Sequence, residues 1–213
     1  MKTDDLIKAL AADAKSVEQP IARTLAVAVG IGALLSLIAF LVTIGPRHDF
    51  TEVASTSVRF LYKFVVTLSL AIPAFLLVRG LSRPDFKLDK RLLWLALSPA
   101  LLLFGVVLEL MSVPSDTWRA RMIGHNAVFC MTVIPLLSLV PFAAVLYALK
   151  CGAPATPTVA GAVGGILSAG IAATLYASHC TDDSPLFVAL WYPVGFVLMT
   201  ALGALIGSRF LRW

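Results

Sequence analysis

The stretch ASHCTDDSPLF, residues 177–187, crowds His179, Cys180, Asp182 and Asp183 between two long apolar runs. Thiolate, imidazole and carboxylate are ligands for zinc and for softer metals, and a thiol in an oxidising compartment is a disulfide partner. Cys130 and His125 lie near the start of another apolar run. One reading is therefore a metal site drawn from Cys130, Cys180, His179 and His125, with Asp182 or Asp183. Spacing gives it little support: five residues on a helix rotate His125 about 140° from Cys130, and the chain has no CxxC or HxxxH pair. A Cys130–Cys180 disulfide is a second reading and needs Cα atoms within about 7 Å. In a third, the cysteines pack as small hydrophobes, while DDSP turns the chain and caps the next helix with Pro185 in its first turn.

Two ionisable residues, Lys63 and Glu109, fall inside apolar runs, where such groups are functional candidates by default. Both lie near the same end of their runs, so they are expected to pair with each other or to reach the interface. No carboxylate, histidine or basic residue falls near any mid-run position. A coupled ion transporter would need one there.

The elements that must position these groups are helices in a bilayer. Of 213 residues, 59% are hydrophobic and 14% charged, against about 25% charged in soluble domains. A bilayer core about 30 Å thick takes about 20 apolar residues per helix. Six stretches qualify, at about 25–45, 60–78, 92–111, 127–149, 158–178 and 186–207. The fold class is an all-α membrane protein: a six-helix transmembrane domain, 25–213, preceded by a segment, 1–24, that carries a short amphipathic helix. Pro73, Pro99, Pro135, Pro141 and Pro193 are expected to kink spans. Gly161, Gly165, Ala169 and Ala173, with Gly203 and Gly207, are expected to let helix backbones approach. Trp94, Trp118, Trp213, Tyr62, Tyr147 and Tyr176 near span ends read as interface anchors.

Lysine and arginine are retained on the cytoplasmic side of short loops. With the N-terminus inside, twelve of the 17 basic residues are cytoplasmic and five are not. Both termini are thus assigned to the cytoplasm, which puts Cys130, Cys180 and all three histidines outside and Cys151 inside. The net charge of +5 is explained by this retention and by anionic lipid, so no direct nucleic-acid partner is expected.

Residues 3–18, TDDLIKALAADAKSVE, read as one helix with Thr3 as N-cap and Asp4 and Asp5 at the positive dipole end. Leu6, Ile7, Leu10, Ala14 and Val17 form one apolar stripe. A helix this short is marginal alone in water. Surface-bound membrane helices are usually basic on the polar face, whereas residues 1–24 carry no net charge, so a groove on a protein partner fits better than a lipid surface.

The opening MKTDDLIKALAADA, the RHDF after the first span, the cysteine heading the fourth, and GAPATPTVAGAVGG followed by LYASHCTDDSPLFVALWYP together resemble the NrsF-type membrane anti-sigma factors of proteobacteria. The resemblance implies a bacterial inner-membrane regulator, not an enzyme and without catalytic residues. It would hold an extracytoplasmic-function (ECF) sigma factor through its cytoplasmic N-terminal segment. It implies sigma-binding residues at Thr3, Asp4, Asp5, Leu6, Ile7 and Leu10, and periplasmic sensing thiols at Cys130 and Cys180 that respond to metal or oxidative stress. No cofactor is required, although the periplasmic cysteines are candidates for transient heavy-metal or zinc binding. Cys151 fits no part of the pattern. Two rival functions are a membrane thiol oxidoreductase, which usually needs a second cysteine pair to relay electrons, and a metal or small-solute permease, which needs polar groups at mid-depth.

Overall fold

A computed structural model describes residues 3–5, 7–8, 20–86 and 90–212. Among them, six helices are long and apolar enough to cross a membrane: Ile21–Thr43, Val58–Leu81, Lys90–Ser112, Ala127–Lys150, Pro157–Ala177 and Pro185–Phe210. These are the first to sixth spans below. They coincide with the six apolar stretches of the sequence, and no strand occurs among the described residues. The protein is a multi-pass all-α membrane bundle.

Local chemistry sets the boundaries. Pro157 and Pro185 open the fifth and sixth spans, where a missing N–H costs nothing and φ is already helical. Ser184 caps the sixth, its hydroxyl accepting from Leu186 N–H at 3.2 Å. The first span closes on Gly45 at φ 67°; its N–H reaches back to the Phe40 carbonyl at 2.8 Å, the left-handed stop that glycine supplies. The third span begins as a 3-10 helix, Lys90–Ala96, and becomes α-helical at Leu97. Pro99 accounts for the change, since it has no N–H for the Leu95 carbonyl and its ring crowds that position.

The fifth span is the axis of the bundle, with 61% of its apolar window buried, against 22% for the first span and 17% for the third. Its small residues make this tight packing sterically feasible. A Cβ at Gly161 would stand 2.1 Å from the Gly203 carbonyl oxygen, and one at Gly165 would stand 2.1 Å from that of Met199. The fifth and sixth spans thus meet backbone to backbone, as the small-residue rows require. The buried hydroxyls of Ser36, Ser98, Ser138 and Ser168 donate to the carbonyls of Leu137, Val66, Ile134 and Gly164.

Two short helices, Phe50–Thr56 and Trp118–Ile123, lie between spans at one end of the bundle. In the N-terminal segment, Thr3, Asp4, Asp5, Ile7 and Lys8 are helical and exposed, with Ile7 58% exposed. Thr3 is itself helical rather than a flanking cap. Leu6, Leu10, Ala14 and Val17 lie outside the described residues.

Candidate functional site: the hinge between the last two spans

Residues 178–184 link the fifth and sixth spans; their first N–H groups bond back to Leu175 and Tyr176, while several carbonyls and side chains reach other parts of the chain. The Ser178 carbonyl accepts from Arg47 N–H at 3.1 Å. His179 Nδ1 is 2.9 Å from the Gly45 carbonyl oxygen; a carbonyl only accepts, so this nitrogen carries the proton. The Cys180 carbonyl accepts from Lys63 Nζ at 2.8 Å. Asp182 Oδ2 accepts from the backbone N–H groups of His125 and Asn126 at 3.0 and 2.8 Å, and from Asn126 Nδ2 at 3.0 Å. It supplies the acceptor that the start of the fourth span lacks, since Asn126 makes no side-chain cap.

Asp183 lies between two cations. Its Oδ1 is 2.6 Å from Lys63 Nζ, and its Oδ2 accepts from Arg47 Nη1 at 3.0 Å. The lysine contact is an ion pair by distance, without hydrogen-bond alignment at Oδ1. The Lys63 side chain is 1% exposed, so the ammonium is held by Asp183, by the Cys180 carbonyl and by the Phe60 ring 5.3 Å away. Arg47 also donates to Asp49 at 2.6 and 2.8 Å. That guanidinium holds the Asp49 carboxyl below its ordinary range, and the Asp49 hydrogen bond leads the causes that raise Arg47.

Lys63 and Glu109 do not pair, contrary to the simplest expectation from their depth. Glu109, 2% exposed, accepts from the Ser184 hydroxyl at 2.7 Å and from Arg121 at 3.2 Å, with Arg59 3.8 Å away. Each buried charge is thus neutralised by a separate loop. The aspartates do more than turn the chain: Ser184 caps the sixth span, leaving Asp182 and Asp183 for the fourth span and for the cations. On the other side, Trp191 Nε1 donates to the Met122 carbonyl at 3.0 Å. Gly124, at φ 59°, leaves room for the Phe187 ring and the Asp182 carboxylate.

The hinge covers the thiols. Cys130 and Cys180 are both free and 0% exposed, in one buried cluster with Tyr176, Tyr192, Phe187, Ile134 and Phe40. Cys151 is exposed at the opposite end. Burial pushes the Cys180 thiol up, and the Lys63 ammonium offsets only part of that. At neutral pH the group is a protonated thiol, poor as a nucleophile or metal ligand within this enclosure. Tyr176, expected at the interface, is instead fully buried, and the Tyr176 and Tyr192 hydroxyls have no hydrogen-bond partner among the described residues. The Cys180 Sγ–H donates to the Asp182 carbonyl at 3.7 Å.

Of the four sequence-derived metal candidates, Cys130 and Cys180 share one buried cluster and the two histidines point elsewhere. His179 is turned to the Gly45 carbonyl, and the His125 side chain is 96% exposed, 3.8 Å from Asp182. Among the described residues, no three His, Cys, Asp or Glu side chains form a metal-binding group. Sequence reasoning missed Arg47, Arg121, Asn126 and Tyr192. The polar RHDF between apolar runs was the available signal for Arg47.

Six apolar helices with two buried thiols at a charged hinge define a multi-pass membrane protein of the all-α class. Comparison with known proteins places it more narrowly. The chain belongs to the NrsF family, described as negative regulator of sigma F, which matches residues 10–213. It is similar to a probable anti-sigma-F factor NrsF of Azospira oryzae, 34% identical over 218 residues, and to the anti-sigma-F factor NrsF of Caulobacter vibrioides, 33% identical over 217. Each alignment covers 100% of both chains. No solved structure matches.

Proposed function

We propose that the protein is a membrane-embedded anti-sigma factor. It sequesters an ECF sigma factor through residues 1–24 and releases it when Cys130 and Cys180 react with metal ions or oxidants. In this reading the bundle sits in the bacterial inner membrane with both termini cytoplasmic and the hinge in the periplasm. Full-length similarity to the two anti-sigma-F factors supports the regulatory role. The exposed Ile7 on a helical segment supports docking there.

The observation that carries the sensing step is the position of Cys180, buried within the hinge that binds the second, third and fourth spans. A close-packed interior resists added volume, so a metal or an oxidised sulfur there forces the hinge to repack. A Cys130–Cys180 disulfide and a thiolate-bound soft metal both act on this one cluster. Lys63 passes the change on, because its ammonium holds the Cys180 carbonyl from within the second span.

The test is co-purification of the full-length protein with the ECF sigma factors of its own cell, before and after a thiol oxidant or a soft metal ion. Capture before treatment and release after it is the expected result. A sigma factor retained equally by protein lacking residues 1–24 would refute the docking assignment. Unchanged release from the Cys130→Ser, Cys180→Ser double variant would refute the sensing assignment.

A further inference from the structure

The end of the bundle away from the hinge carries a cavity of about 880 Å³ between the end of the second span and the 3-10 onset of the third. It is lined by Arg79, Arg83 and Arg91 and, deeper along the second span, by Pro73, Leu76 and Leu77. The three arginines are exposed and have no carboxylate partner among the described residues. Asp85 is the one acidic residue in the lining among the described residues. The arrangement is built by packing: a Cβ at Gly80 would meet the Phe86 ring at 2.3 Å, so the glycine is the notch that seats this ring. The ring in turn lies 5.6 Å from the Arg91 guanidinium, bringing the third span's charge beside those of the second. Trp94, 61% exposed, completes the lining.

We infer that this cavity binds an anionic phospholipid, its phosphate among the three guanidinium groups and an acyl chain along Pro73 and Leu76. Guanidinium forks match phosphate oxygens in pairs, and basic pockets between helices at a membrane surface recruit anionic headgroups. The apolar part of the lining selects lipid over an acidic protein segment. Leu76 is 48% exposed about one turn closer to the membrane interior than Arg79 and Gly80, a depth that an acyl chain reaches and a water-soluble peptide does not. A zwitterionic lipid would bring its own ammonium against three cations.

The experiment uses the full-length protein in vesicles of mixed phosphatidylglycerol and phosphatidylcholine, with retained lipid counted by native mass spectrometry. Arg79→Gln with Arg83→Gln is compared with Arg209→Gln plus Arg212→Gln, which removes the same charge from the same end outside the cavity. A hydrogen bond to a charged group is worth about tenfold, roughly 1.5 kcal/mol, so the cavity pair is expected to lower the phosphatidylglycerol preference about 100-fold, against about 25-fold at most for the outer pair, whose residues act only as charges near an anionic surface. Glycerol 1-phosphate, which has the phosphate without acyl chains, is expected to compete poorly. An equal fall in both pairs would reduce the effect to general surface charge and overturn the site. So would full competition by glycerol 1-phosphate, the mark of a free-phosphate site. Loss of sigma-factor capture by the cavity pair in lipid-free detergent, with lipid preference intact, would assign the cavity to a protein partner and also overturn it.

Discussion

At the scale of single residues, the hinge depends on charges that cannot lose their partners cheaply. Removing one member of a buried ion pair typically costs about 3–5 kcal/mol, because the other charge remains desolvated. Asp183→Asn leaves Lys63, 1% exposed, with only a carbonyl and an aromatic face. Lys63→Met leaves Asp183 still bound to Arg47. Thermal unfolding in detergent should therefore show Asp183→Asn as the more damaging change, and an equal or reversed order would mean the lysine is held by other groups. The thiols make a second prediction. A thiol raised by burial contributes its full stability below the ordinary thiol value of about 8.5 and loses it as pH rises above that value. Maleimide labelling of Cys180 should thus be slow in the folded protein at neutral pH, quicken in alkali as the hinge loosens, and become fast on unfolding. Fast labelling of the folded protein at neutral pH would mean that the thiol is not enclosed. If Cys130 and Cys180 act as one unit, the double serine variant should respond to metal or oxidant no worse than either single variant; additive losses would point to two independent sensors.

At the scale of elements, the contact between the fifth and sixth spans is the most demanding. At Gly165 a side chain would press on the Met199 carbonyl, which belongs to backbone and cannot swing away. Overpacking of a tight core costs about 1–3 kcal/mol and often more, so Gly165→Val should separate the two helices and lower thermal stability. At Gly30 a Cβ would meet nothing within 4 Å, and Gly30→Val should be tolerated; similar losses at both sites would sink the close-approach argument. The spans themselves were legible in the sequence because membrane crossing leaves a signal along one dimension, a run of apolar residues of sufficient length. The small-residue rows were legible for the same reason. What the order of residues does not encode is which side of a helix faces which neighbour. The depths of Lys63 and Glu109 were therefore read correctly, but their partners were not, and Tyr176 was placed at a lipid interface when it turns inward. The 3-10 start of the third span had a signal in Pro99, though that residue suggested a kink rather than a change of helix type.

At the scale of the whole molecule, the proposal ties an N-terminal segment to a hinge at the far side of the membrane. Topology is its first test: a periplasm-active reporter fused after Asp183 should be active, and one fused after Lys87 should be silent. The reverse pattern would place the thiols in a reducing compartment. Docking is its second. Burying a leucine contributes about 1.5–3 kcal/mol, and 1.4 kcal/mol is tenfold in affinity. Leu6→Asp with Leu10→Asp should weaken sigma binding at least about a hundredfold, with expression of sigma-dependent genes rising in unstressed cells at normal membrane insertion. Silence of those genes in a normally inserted variant would show that the segment is not the inhibitory element.

The distribution of fastenings between spans has a mechanical consequence. Among the described residues, the ion pairs crowd at the hinge end, and Ser36 and Ser98 bridge spans at mid-depth. Near the opposite end, the second span is tied to the loop after the fourth by one longer bond, from Ala153 N–H to the Ser82 carbonyl at 3.3 Å. That end is held by packing instead, with Leu77, Val78 and Leu81 of the second span buried in one cluster with Leu149 and Val163, and packed apolar surfaces slide where ion pairs hold register. The second span has 24 residues and is about 36 Å long, so a tilt of about 5° at its hinge end carries the other tip about 3 Å, roughly half a helical turn. On the proposed sensing route, slight loosening around one sulfur would be geared up into a displacement comparable to the width of a side chain on the far side of the bilayer.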